Sequence, residues 1–186
     1  MRLTALLRHL AAITALPVTV TLVVPLWLAH SQEVSWSSFG GVGGLARTAG
    51  AGVLLSLGLA LFAASLHGFA TRGEGTLAPW DPPLRLVVDG PYRFVRNPMI
   101  SGVCFVLLGE AVLLGSWVHG LWAVFFILLN AIYIPLVEEP QLERRFGEAY
   151  REYRGHVPRL VPRLRPWSPP SGAATREEGP ERAGSG

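Results

Sequence analysis

Apolar residues fall into four long runs separated by polar stretches, at 10–29, 48–70, 98–118 and 121–137. The first is 20 residues without a charge; the second is 23 residues without an acid, lysine or arginine, with His67 near its end. The third carries one acid, Glu110, and the fourth runs uncharged into Glu138. A helix needs about 20 apolar residues to cross the hydrocarbon core of a bilayer. Backbone groups in lipid must be satisfied within their own segment, so each run is expected to be a helix. The last two are joined by no more than 115–120, which predicts an antiparallel hairpin. Trp27, Trp36, Trp117 and Trp122 lie near run ends, where aromatic belts form. The first run has Arg2 and Arg8 before it and Ala29-His30-Ser31 after it, as a signal peptide has, but its length and its interruption by Pro17 and Pro25 favour a retained helix. The predicted fold is all-α: a multi-pass membrane protein with about four transmembrane helices.

Beyond the fourth run the pattern changes. Leu142, Phe146, Ala149, Tyr150 and Tyr153 recur at spacings of three and four, with Arg144, Arg145, Arg151 and Arg154 on other faces. This predicts a C-terminal amphipathic helix over 140–154, lying on the membrane interface with its arginines among lipid phosphates and its apolar stripe used for packing. Gly147 weakens it modestly. Pro158 and Pro162 forbid a regular helix over 157–164, which is expected to be an extended flap returning along the surface. The segment 168–186 is Pro, Gly, Ser, Glu and Arg with almost nothing to bury, and is expected to be a disordered, dispensable tail. The chain thus divides into a membrane domain over 1–167 and that tail.

Half of the residues are hydrophobic and 16% are charged, against about 25% charged in soluble domains. All 16 basic residues are arginine, and with 21 glycines and 15 prolines this points to coding bias in a GC-rich genome rather than to a functional choice. A pI near 9.6 raises the question of nucleic acid. The placement of the arginines answers it. If the runs alternate direction, Arg2, Arg8, Arg72, Arg85, Arg93, Arg96 and the nine arginines after the fourth run share one side, leaving Arg47 alone on the other. That side is cytoplasmic by the positive-inside rule, so both termini and the second loop are cytoplasmic and the partner of the basic charge is the lipid bilayer. No nucleic-acid partner is expected. The single cysteine, Cys104, sits in an apolar run and reads as a small buried hydrophobe. No histidine or acid spacing resembles a metal site, so no metal is expected.

The residues with chemistry gather in the second loop and just after the fourth run. Asn97-Pro98 reads as the N-cap and first position of the third helix, where free N–H groups and the helix dipole favour an anion. Arg96 beside it carries a guanidinium able to grip a carboxylate with two parallel hydrogen bonds. The plainer alternative is a helix start, with Arg96 on a lipid phosphate. Glu138 and Glu139 at a membrane boundary repel each other and cost desolvation. They point about 100° apart on a helix and need not share a target. They suit ribose hydroxyls or an ammonium, or else Glu139-Pro140 simply begins the next helix. Gly73 and Gly75 make a bare GxG without the strand–turn–helix setting of a dinucleotide fold. Glu110, inside a run, is either functional or paired, with Asn130 of the facing run as its candidate partner.

In order, the chain shows Gly90-Pro91-Tyr92-Arg93-Phe94-Val95-Arg96-Asn97-Pro98-Met99, a helical hairpin, Glu138-Glu139-Pro140, Phe146-Gly147-Glu148-Ala149-Tyr150-Arg151-Glu152-Tyr153, and Val157-Pro158-Arg159-Leu160-Val161-Pro162. This order resembles the isoprenylcysteine carboxyl methyltransferase and phospholipid N-methyltransferase superfamily over residues 70–165. Gly73-Glu74-Gly75-Thr76 with Ala78-Pro79 also looks like bacterial members, which implies a bacterial inner membrane. The resemblance implies transfer of a methyl group from S-adenosylmethionine to a lipophilic or membrane-associated acceptor, such as an isoprenylcysteine carboxylate or a phospholipid amine, at the cytoplasmic face. It implies a cofactor site of Gly73, Gly75, Arg96, Asn97, Pro98, Glu138 and Glu139, with Arg96 and Tyr92 as the catalytic candidates. An aromatic face such as Tyr92 or Trp80 would attract a sulfonium by about 0.5–2 kcal/mol. With no obvious base, alignment and exclusion of water are the expected levers. Where the family commonly has tyrosine two residues after Pro98, this chain has Ile100. The competing readings are an NADPH-dependent membrane reductase of similar architecture, which paired acids beside a polyphosphate disfavour, and a non-enzymatic accessory protein, which Ile100 favours.

Overall fold

Residues 16–31, 41–72, 86 and 88–168 are described by the computed structural model. The described residues are helical wherever they are regular, with no strand among them. Helix α1 is Leu16–Ser31. It widens at Thr19–Val23, where the Val24 N–H bonds back to the Thr19 carbonyl five residues earlier. In that register the Val20 carbonyl should receive the N–H of residue 25, which is proline and has none. Trp122 fills the gap by donating its indole N–H to Val20 O at 3.1 Å. A second tie joins the same pair of helices: the buried His119 ring has Nε2 at 3.0 Å from Pro25 O and Nδ1 at 2.8 Å from Ser116 Oγ. A carbonyl only accepts, so Nε2 carries the proton.

Helix α2, Gly41–Arg72, has 32 residues, about 48 Å at 1.5 Å per residue. It packs closely on α3, Pro98–Leu114. Small residues set the approach: Ala51, Ser65 and Ser101 are fully buried at 0% exposure. A β-carbon on Gly58 would lie 2.7 Å from Gly102 O, and one on Gly102 would lie 2.7 Å from Gly58 O. Without water to expel, helices in lipid gain by such close van der Waals contact. Gly115, in the left-handed conformation, ends α3, and α4 begins at Trp117 and runs to Tyr133. The two form the hairpin that the short connection requires. Val103, Leu107 and Ala123 form the core between the helices, flanked by Val20, Phe62, Trp122 and Phe126.

Large apolar residues face outward along α2 and α4, including Leu45, Val53, Leu59, Leu121, Phe125, Leu128 and Ile132. Gly41–Gly68 and Trp117–His156 are long and apolar enough to cross a membrane; Leu16–Ser31 and Pro98–Leu114 are shorter apolar helices. The four expected runs therefore give two full-length helices and two shorter ones. The chain turns at Gly115 and Ser116, within the expected connection 115–120.

Helix α4 does not end at Tyr133. A wide turn at Ile134–Glu138 carries it into α5, Glu139–His156. Helix α5 bends at Gly147, whose φ of 54° and ψ of −126° are non-helical. Its stripe of Leu142, Phe146, Tyr150 and Tyr153 packs with Leu86, Val88, Val157 and Trp167 into a second core. The expected interfacial helix is present, but protein rather than lipid covers this apolar face. The tail beyond residue 168 lies outside the described residues.

Candidate functional site

The loop before α3 and the strap after α5 meet in the second core. Gly90–Arg93 forms one short helical turn. The strap, extended from Val157, is held to the loop by backbone bonds: Arg96 N–H to Pro158 O at 2.8 Å, Asn97 N–H to Arg159 O at 3.2 Å, Arg163 N–H to Phe94 O at 2.9 Å and Trp167 N–H to Arg93 O at 2.9 Å. Arg93 returns the contact, with Nε at 2.8 Å from Trp167 O and a further bond to Ser168. Tyr153 donates its hydroxyl to Tyr92 O at 2.7 Å, tying α5 to the same loop.

These ties bring Arg96 and Glu139 together. Arg96 Nη1 is 2.9 Å from Glu139 Oε1, with the side chains 9% and 6% exposed. The approach is an ion pair rather than an aligned hydrogen bond, and Arg96 Nε, also buried, has no acceptor among the described residues. Arg159 holds the same carboxylate from the strap, Nε at 2.7 Å from Oε1 and Nη2 at 3.1 Å from Oε2. The Tyr150 hydroxyl oxygen accepts a hydrogen bond from the Arg96 guanidinium. Asn97 occupies the N-cap position and Pro98 the first helical position, as expected, but the Asn97 side chain makes no capping bond. Its carbonyl instead accepts from the Ser101 N–H at 2.9 Å and the Ser101 hydroxyl at 2.8 Å.

The wide turn decides which acid faces inward. The buried positions of α4 and its continuation are His119, Ala123, Asn130 and Ile134, and then Glu139. The last step is five residues, where a regular helix would step three or four. The extra residue turns Glu139 toward Arg96 and leaves Glu138 half-buried at the edge. Burial raises the Glu138 carboxyl above the usual range; the Glu139 charge raises it further, and Arg96 lowers it. Burial is also the main cause that lifts the Tyr150 and Tyr153 phenols, so both stay protonated at neutral pH. The Arg159 guanidinium is held more firmly protonated, first by its hydrogen bond to Glu139.

The structure thus brings together Arg96, Asn97, Pro98, Glu138 and Glu139, with Tyr92 on the adjoining turn. Gly73, Gly75 and Trp80 lie outside the described residues. The two acids do not act alike: Glu139 is taken up by two arginines, whereas Glu138 forms no ion pair among the described residues. Ile100 is half-buried in the first turn of α3. Sequence reasoning missed Tyr150 and Arg159 as members of this cluster. The signal for Arg159 was its place in a proline-bounded flap, which says that the chain returns but not to what. The Glu110–Asn130 pair does not form: Asn130 Nδ2 donates to Phe126 O in its own helix at 2.9 Å, and Glu110 Oε2 is left without a partner. Cys104 is buried, as read. Among the described residues no three His, Cys, Asp or Glu side chains group to hold a metal ion.

Comparison with known proteins bears on this region. Residues 75–149 match the family model of the phospholipid methyltransferases. The chain is 37% identical over 79 residues to a protein-S-isoprenylcysteine O-methyltransferase of Schizosaccharomyces pombe. The match takes in 41% of this chain and 33% of that protein, so the chain spans about a third of the length of the curated relative. No solved structure matches.

Proposed function

We propose that this chain, whose residues 75–149 match the phospholipid methyltransferase family model, is a member of the phospholipid and isoprenylcysteine methyltransferase superfamily and transfers a methyl group from S-adenosylmethionine to a lipophilic acceptor at the cytoplasmic face of a membrane. The observation that carries this reading is the Arg96 guanidinium. It is buried, its Nε–H has no acceptor among the described residues, and it lies where α3 begins. A buried donor left unmade costs about 1–3 kcal/mol, so a site that keeps one is suited to an anion that arrives from outside. The Met99 and Ile100 N–H groups, at the first turn, have no intrahelical acceptor and add to the same field.

S-adenosylmethionine brings an electrophilic methyl group on a sulfonium, together with a carboxylate, an ammonium and a ribose. Arg96 would hold the carboxylate through its open Nε–H. Glu139 and Tyr150 orient Arg96 rather than touch the donor. Glu138, without an ion pair of its own among the described residues, would accept from the ammonium or a ribose hydroxyl. Tyr92, half-buried on the turn before α3, offers an aromatic face toward a sulfonium. The strap and the loop 88–97 exclude water from this cluster. Exclusion of water and alignment are the levers open to these residues; a carboxylate or thiolate acceptor needs no base, and an amine must arrive deprotonated. The apolar outer faces of α2 and α4 suit an acceptor that reaches the site from lipid.

The test is transfer itself. Bacterial membranes carrying the protein are incubated with methyl-labelled S-adenosylmethionine and the lipid extract is read by mass spectrometry. A labelled lipophilic product that is absent without the protein, and absent with Arg96→Ala, is expected. Label that stays in the donor alone across a panel of lipid and prenylated acceptors overturns the reading.

A further inference from the structure

We propose that Arg159 is a positioning residue for the carboxylate end of the methyl donor, acting through Glu139 to keep the Arg96 Nε–H open; the inference rests on the donor site proposed above. Arg159 belongs to the strap, and its side chain is about a third exposed, so it is not a core residue. It is tied at both ends to the parts of the site that matter. Its carbonyl accepts the Asn97 N–H at 3.2 Å, and the neighbouring Pro158 carbonyl accepts the Arg96 N–H at 2.8 Å. Its guanidinium takes one bond to each Glu139 oxygen, at 2.7 and 3.1 Å.

That fork fixes the plane of the Glu139 carboxylate. In the fixed plane Oε1 reaches Arg96 Nη1 at 2.9 Å, but outside hydrogen-bonding geometry. An arginine and a carboxylate otherwise prefer two parallel bonds. Released from Arg159, Glu139 is free to turn and make that fork with Arg96, occupying the Nε–H that an incoming carboxylate needs. Arg159 therefore governs affinity for the anionic end of the ligand and leaves the adenosine end alone. A residue that only stabilised the strap would affect both ends equally.

The test uses the full chain in detergent micelles and calorimetry with two ligands. One is S-adenosylmethionine; the other is methylthioadenosine, which keeps the adenosine and a neutral thioether sulfur but lacks the whole amino-acid arm with its carboxylate and ammonium. Arg159→Ala is expected to weaken S-adenosylmethionine about tenfold or more and methylthioadenosine by less than about twofold. Arg159→Lys, which keeps the charge without the fork, recovers only part of the loss. In a Glu139→Gln background Arg159→Ala adds less than about twofold, because the residue it acts through is gone. Equal losses for the two ligands, an unchanged affinity for S-adenosylmethionine, or effects of the two substitutions that multiply would each overturn the proposal. Should Arg159→Ala not run as a folded species on gel filtration, Arg159→Lys decides by the same comparison of ligands. Wild-type protein that binds no S-adenosylmethionine overturns the donor site itself; binding lost in Arg96→Ala but intact in Arg159→Ala overturns the role of Arg159 alone.

Discussion

At Glu138, burial and the adjacent Glu139 charge both disfavour ionisation, and Arg96 offsets them only partly. The folded carboxyl therefore holds its proton to a higher pH than the unfolded one. Between the ordinary glutamate value and the raised one the folded state binds more protons, so stability falls as pH rises through that window and levels off above it. Glu138→Gln removes the loss: its melting temperature should match the wild type near pH 4 and exceed it at pH 8, read by thermal denaturation in detergent. A variant less stable at pH 8 would show that the ionised Glu138 has a partner. Tyr150→Phe removes one hydrogen bond to Arg96, a change of about 1 kcal/mol, and should weaken S-adenosylmethionine by about fivefold in calorimetry. Arg96 and the paired acids were legible in the sequence because charges at the ends of apolar runs need a reason. Arg159 and Tyr150 were not, because their meeting with Glu139 and Arg96 depends on the return of the strap and on which face of α5 turns inward. No local spacing encodes either.

Two helix features carry the geometry. The approach of α2 to α3 leaves no room at Gly102, where a β-carbon would meet backbone atoms, Gly58 O at 2.7 Å and Phe62 N at 3.0 Å. Neither can swing aside, so Gly102→Ala must part the helices, at a cost of roughly 1–3 kcal/mol, visible as a lower melting temperature. The bend at Gly147 uses a positive φ that side chains with a β-carbon adopt only under strain. Gly147→Ala should cost about 1–3 kcal/mol as well and, by straightening α5, should lower affinity for the donor. The existence of the helices and the hairpin was readable from run lengths. The wide turn at Ile134–Glu138 was not, since apolar periodicity assumes a constant turn, and one inserted residue changes which acid faces the site. Gly147 read as a mild weakening because composition says nothing of φ.

For the whole molecule, the arginine count predicts an orientation, and the proposed site beneath the strap lies on the arginine-rich side. The orientation is checked in a Cys104→Ser background with an impermeant maleimide. Trp117→Cys, at the hairpin turn, should label from outside intact cells, and Glu148→Cys, 84% exposed on α5, only after the membrane is opened. The reverse pattern would invert the topology. The strap is checked by length: a chain ending at Ser168 should bind the donor within about twofold of the full chain, and one ending at His156, which lacks every strap bond to Arg93, Phe94, Arg96 and Asn97, should not bind it. The most direct measurement is calorimetric titration of S-adenosylmethionine into the purified, folded protein, in parallel with Arg96→Ala. Saturable one-to-one binding to the wild type, lost or weakened by about a hundredfold in the variant, is the expected result; equal binding to both, or none to a folded wild type, would contradict a donor site built around Arg96.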